Sequence, residues 1–257
     1  MNTPLAFSDT GSGLPLVLLH AFPLSREMWT PQASLAEQVR LITPDLYGFG
    51  ATALPPDGWT VDSMADRLAS WLTELRVAEP IVLGGLSMGG YVALAFARRH
   101  PERLRGLILA DTKAEADTAD ARANRDKMIE FVRQNSAADV VEQLLPKLLG
   151  DTTRANNPEL LVTVRGIGMQ QTQDGVAAAL AALRDRPDAT PGLAAIRVPT
   201  LVIVGAEDTL TPPAVSRTLA AGIAGAKLEE IPKAGHLSNL EAPSEFTEMV
   251  RRFVANV

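Results

Sequence analysis

The sequence predicts an α/β protein: a mostly parallel, doubly wound sheet with an inserted helical cap. Three observations carry that expectation. Short apolar runs alternate with helical patterns at both ends of the chain, which is the strand–helix rhythm of a doubly wound sheet. Several of those runs are continuously apolar, as suits strands buried on both faces of a parallel sheet. Between 113 and 187 the strand signals stop, over a length far too great for a plain connection.

The expected strands are 15–19 (PLVLL), 41–43, 81–84 (IVLG), 104–110 (LRGLILA), 200–204 (TLVIV) and 227–231. Between the second and third lies a helical stretch at 60–77. There Val61, Met64, Ala65, Leu68, Trp71, Leu72 and Leu75 fall on one stripe at steps of three and four. Residues 91–99 and 246–254 also read as helices. The strand-free stretch is rich in Ala, Leu and charge, with helical patterns near 119–134, 137–149, 158–170 and 174–184. Residues 1–112 and 188–257 therefore form the expected core, and 113–187 a helical cap lying over it. Pro55-Pro56-Asp57-Gly58 and Thr211-Pro212-Pro213 read as loops.

Composition excludes several kinds of chemistry. The 257 residues carry 24 Lys and Arg against 30 Asp and Glu, a formal charge of −6, which argues against a nucleic-acid binder with a basic surface. There is no cysteine, so disulfides, thiolate nucleophiles and Cys-ligated metal centres are out. The three histidines, His20, His100 and His236, are too scattered for a helical metal pair. No apolar run approaches the ~18 residues of a membrane span. Residues 1–10 lack a basic segment followed by an apolar one, so no signal peptide and a cytoplasmic location are expected.

Gly85-Leu86-Ser87-Met88-Gly89 has the form G-x-S-x-G. Alone it is weak, since chance supplies it in roughly one chain in ten of this length. Its setting strengthens it. An apolar strand precedes it and a helix follows, the strand–turn–helix context in which a nucleophilic Ser is held above a sheet edge. A serine hydroxyl needs a base. His236 follows the strand at 227–231, on the same rim as Ser87. His100 ends the helix after Ser87, where a cation suits the helix C-terminus. His20 is expected to hold its own loop by hydrogen bonding. The base needs an acid to fix its tautomer. Asp208 lies just past the strand at 200–204, giving the chain order Ser87, Asp208, His236. Asp111, at the end of 104–110, is the rival acid. Glu207 should point away if Asp208 points inward. The oxyanion donors expected from position are the backbone N–H groups of Met88 and Phe22.

These segments resemble the α/β-hydrolase superfamily, specifically small capped carboxylesterases and the 3-oxoadipate enol-lactonase-like group. The matching stretches are LVLLHAFP (16–23), DLYGFGAT (45–52), GGLSMGGYVAL (84–94), RHPERLRGLILAD (99–111), PTLVIVGAEDTLTPP (199–213) and AGHLSNLEAP (234–243). They span nearly the whole chain outside the helical insertion. The chain has Ala21 where that family usually has Gly, and only residues 5–8 are available for a strand before the first buried one. Asp45–Thr52 is expected to be architectural, with Gly48 and Gly50 supplying turn conformations.

The resemblance implies an ester hydrolase working through Ser87, His236 and Asp208 by an acyl-enzyme, with no metal or organic cofactor. The alternatives are an enol-lactone hydrolase, a cofactor-free perhydrolase or haloperoxidase, and a small-molecule receptor on the same scaffold. The expected partner is a small ester or lactone, with neither nucleic acid nor membrane. Met128, Phe131, Leu144, Leu145, Leu148 and Met169 are the expected pocket residues on the underside of the cap. Arg122, Arg125 and Lys127 are expected on solvated helix faces.

Overall fold

A computed structural model describes residues 3–257. Seven strands form one sheet in the order β1-β3-β2-β4-β5-β6-β7. They are β1 (Phe7–Thr10), β2 (Pro15–Leu19), β3 (Arg40–Pro44), β4 (Ile81–Leu86), β5 (Leu104–Ala110), β6 (Thr200–Gly205) and β7 (Lys227–Ile231). Only β1 runs antiparallel, pairing with β3 along the exposed edge. The other pairs are parallel, so their carboxyl ends share one rim.

Successive side chains of a strand point to opposite faces, and the two cores follow that alternation. Val17, Leu19, Leu83, Leu107 and Leu109 pack on one face with α1 (Val61–Glu74) and α2 (Met88–Arg99). Leu16, Leu18, Val82, Ile108 and Ile203 pack on the other, against a 3-10 segment (Arg26–Glu37) and the final helix. All five residues of β2 are buried, as their unbroken apolar run demands.

Five helices occupy the stretch between β5 and β6: α3 (Ala119–Gln134), α4 (Ala137–Leu148), α5 (Asp151–Asn156), α6 (Pro158–Met169) and α7 (Gln173–Arg184). Four of them begin on polar caps, Thr118, Ser136, Asn157 and Thr172, each accepting a hydrogen bond from a first-turn N–H. A second 3-10 turn (Pro101–Arg103) leads into β5, and a third (Thr190–Ala195) leads into β6. Then come α8 (Pro213–Gly222), α9 (Ser238–Glu241) and α10 (Pro243–Val254). No helix among the described residues is long and apolar enough to cross a membrane.

Where the elements depart from the sequence reading, the causes are local. Helix α1 stops at Glu74 because Arg76 takes a left-handed φ of 56°, letting Val77 N–H reach the Leu72 carbonyl. Pro213 opens α8 instead of continuing a loop, because the first turn of a helix needs no N–H from it. The 3-10 segment carries Pro31 inside it and no 3.6-residue stripe, so periodicity does not reveal it. The edge strand covers Phe7–Thr10 rather than 5–8, because those four residues are the ones that pair with 41–44 of β3.

Leu83 is wholly buried in the centre of the sheet, whereas Val162 on α6 is 64% exposed. Leu83→Ala should cost about 2–5 kcal/mol in urea unfolding, and Val162→Ala within about 0.5 kcal/mol.

Candidate active site

Ser87 sits between β4 and α2 with φ 53° and ψ −109°, in a region that L-residues rarely occupy. The backbone is held there from both sides. Ser87 N–H donates to the Ala110 carbonyl (2.9 Å), and its carbonyl accepts from Thr112 Oγ1 (2.9 Å). The crossing is so close that a Cβ on Gly85 would collide with the Gly89 carbonyl group, and one on Gly89 with the carbonyl of Leu19. Only glycine fits at either place. Helix α2 accordingly begins at Met88, earlier than an apolar stripe reveals.

Loops after β4, β6 and β7 bring three distant side chains together. His236 Nε2 lies 2.9 Å from Ser87 Oγ, and His236 Nδ1 lies 2.8 Å from Asp208 Oδ2. Asp208 and His236 are buried and Ser87 partly so. Burial opposes ionisation of Asp208, but the facing His236 and the hydrogen bonds from Thr211 outweigh it and hold the carboxyl below its ordinary range. Thr211 Oγ1 donates to Asp208 Oδ2 (2.6 Å), while the N–H groups of Thr211 (3.0 Å) and Leu210 (2.8 Å) donate to Oδ1. An ionised carboxylate only accepts, so Nδ1 carries the imidazole proton and Nε2 is left to accept from the Ser87 hydroxyl.

The N–H groups of Met88 and Phe22 have no acceptor among the described residues. Ala21 is not among the residues with positive φ, so the loop tolerates a side chain there. His20 fixes that loop. Its Nδ1 contacts the Ala21 carbonyl (3.0 Å), while Nε2 accepts from Leu46 N–H (2.9 Å). Burial lowers its pKa, which suits this neutral role. Gly48 and Gly50 adopt positive φ within the 45–52 loop. His100 caps the end of α2 and contacts Asp66 (2.8 Å), away from Ser87 and His236.

The rival carboxylate, Asp111, faces away from His236. Its Oδ1 accepts from Gly205 N–H (2.8 Å) and its Oδ2 pairs with Ser238 Oγ. Full burial, then the nearby charge of Asp208, pushes its pKa well above the usual carboxylate range. Asp111 thus braces β5, β6 and α9. Glu207 turns to the helical stretch, accepting from Thr152 N–H (2.8 Å) and from the Thr152 hydroxyl, while Glu241 accepts from Gly150 N–H (2.8 Å).

A cavity of ≈ 240 Å³ opens beside Ser87 and His236, walled by α3, α4 and α7. Of the six expected pocket residues, Met128, Leu144 and Leu148 line it. Leu145 faces the opposite core, Phe131 packs on the first core, and Met169 is half exposed at the end of α6. Their stripes are those of helix packing, which sequence periodicity does not separate from ligand contact. Arg122 and Lys127 are exposed, but Arg125 points into the cavity, held by Asp117. Sequence reasoning missed Lys113, Asp117, Tyr91 and Thr211. Two of these had a signal: Lys113 closely follows the β5 carboxyl end, and Tyr91 lies one helical turn beyond Ser87. No cluster able to hold a metal ion occurs among the described residues.

Asp111 is isosteric with Asn, which tolerates positive φ and can donate to Ser238 while accepting from Gly205. Its raised folded-state pKa means that its stabilising contribution is full below the unfolded value, about 3.9, and declines as pH climbs towards the folded value. Asp111→Asn removes that decline. In urea unfolding across pH, the variant's stability relative to wild type should rise above about pH 4. Asp111→Ala should cost about 1–3 kcal/mol through the orphaned Gly205 N–H.

Known proteins share this architecture. A thermophilic esterase from Thermogutta terrifontis, solved with malate bound, is 43% identical, with TM-score 0.95 over 98% of this chain and 93% of the other. The enol-lactonase from Burkholderia xenovorans LB400 is 28% identical, with TM-score 0.90 over 98% and 96%. A 2-hydroxymuconate semialdehyde hydrolase from Pseudomonas sp. (strain CF600) is 29% identical over 96% of this chain and 89% of its own. The family model of the alpha/beta hydrolase fold matches residues 15–243. With the sheet order, the strained serine turn and this match in agreement, the chain belongs to the alpha/beta hydrolase fold family.

Proposed function

We propose that the protein hydrolyses short carboxylic esters through an acyl-enzyme on Ser87. The observation that carries this reading is the unbroken chain of contacts from Ser87 Oγ through His236 to Asp208, beside an accessible cavity. Ser87 Oγ attacks the ester carbonyl as His236 Nε2 takes its proton. Asp208 stabilises the resulting imidazolium. The carbonyl oxygen, now negative, accepts from the free N–H groups of Met88 and Phe22. Collapse expels the alkoxide, which recovers the proton from His236. Water then attacks the acyl-serine with His236 again as base, releasing the acid and restoring Ser87.

The cavity of ≈ 240 Å³ is smaller than the roughly 300–1,000 Å³ usual for drug-sized ligands, which supports a short acyl chain. A lactone would follow the same steps, its alkoxide staying tethered to the acyl group. The likeness to the Burkholderia enol-lactonase supports that second reading.

Ser87→Ala should lower kcat by about a millionfold with unchanged thermal unfolding. Asp208→Asn should lower it by about ten-thousandfold, whereas Asp111→Asn holds turnover near wild type. Equal losses in the two Asp variants would move the acid role. Protonating His236 removes the base, so kcat/KM should fall on acidification, and a pH-independent rate would remove His236 from the mechanism. Across p-nitrophenyl esters, kcat/KM should peak at acetate to butyrate and decline through decanoate.

A further inference from the structure

One wall of the cavity is charged. Lys113 and Arg125 both line it with Ser87 and His236. Arg125 is engaged by Asp117 (2.9 Å), which also pairs with Arg186 (2.8 Å) in a contact 2% exposed on either side. Arg186 is further fixed by the Leu183 and Glu115 carbonyls (2.7 and 2.9 Å) and lies 4.1 Å over the Tyr91 ring. Lys113 has none of this. It makes no hydrogen bond, and no ion pair within 4.0 Å, among the described residues. The charges around it are Arg186, Arg125, Asp117 and Glu115. On the cavity lining itself, Lys113 and Arg125 accompany a single carboxylate, Asp117, so the wall holds one surplus positive charge. Burial, and then Arg186, already make the Lys113 ammonium harder to keep charged.

We propose that Lys113 determines specificity by receiving a carboxylate at the non-reacting end of the substrate. The substrate class is then a short monoanionic ester or lactone, such as the half-ester of a dicarboxylic acid. This rests on the ester-hydrolase reading above. A half-buried ammonium without an acceptor is unfavourable, and a carboxylate supplies both the acceptor and the missing negative charge. A neutral ester of the same shape leaves Lys113 as it is. Met128, Leu144 and Leu183 supply apolar wall for the methylenes between the two ends. Arg125 sets the local field but is already paired, so the assignment falls on Lys113.

The test compares monomethyl glutarate with methyl 5-oxohexanoate, a neutral isostere, near neutral pH in a pH-stat. The readout is the ratio of their kcat/KM values, in which any general effect on catalysis cancels. In the wild type the ratio should favour the anion by about tenfold or more, and added salt should erode it. Lys113→Met should bring the ratio down to about one, and Lys113→Arg should retain most of it. Free glutarate should also slow labelling of wild-type Ser87 by a fluorophosphonate, a measurement that needs no variant. A wild-type ratio near one, or a ratio that Lys113→Met leaves unchanged, overturns the proposal. If the neutral ester is still turned over and Ser87 still labelled, the ester-hydrolase reading survives that result. If neither substrate turns over and Ser87 is not labelled, that reading falls and the carboxylate subsite falls with it.

Discussion

The structure depends on one crowded crossing, where the chain leaves β4 and enters α2. Gly85 and Gly89 let the strand, the helix and the Leu19 carbonyl approach within distances that no side chain permits. Ser87 is thereby forced to positive φ and tied by its own N–H and carbonyl to the end of β5. That strain is held in place by the packing of both elements rather than by the serine itself. The hydroxyl is lifted to the rim, and the Met88 N–H is left without an acceptor. Because the neighbouring strands run parallel, the loops carrying Asp208 and His236 emerge on the same side.

Two buried aspartates near that rim show how surroundings decide chemistry. Asp208 receives three hydrogen bonds from its own loop and faces an imidazole, so it keeps its charge. Asp111 receives fewer, lies deeper and feels Asp208, so its carboxyl is pushed well above the ordinary range. The same side chain is drawn towards its charged form in one place and away from it in the other. The brace matters to geometry, because it ties the strand that precedes Asp208 to the helix that follows His236.

The order of the central strands, the helices on either face and the serine turn were legible because each imposes a local rule on the sequence: continuous apolar strands, a 3.6-residue stripe, paired glycines. That Ser87, Asp208 and His236 meet followed from chain order and from rim positions. Other features are written in no local pattern. The 3-10 segment has no stripe, α5 is too short for one, and α8 hides behind two prolines. The cavity was only half legible. Leu145 and Leu148 share one helix and one apolar character, yet only Leu148 meets the cavity. Arg125 reads as solvated until Asp117, eight residues earlier, is seen to draw it inward.

The way α5 begins has a practical consequence for recombination among relatives. It has no side-chain cap of its own. The amides at its start are instead satisfied by Glu207, next to Asp208, and by Glu241, a few residues past His236. The helical stretch and the loops carrying Asp208 and His236 therefore share a seam of charge-assisted hydrogen bonds. A chimera that transplants 113–187 as a block will assemble soundly only if the donor segment presents the same two amides to those glutamates, so the two parts have to be exchanged as a matched set.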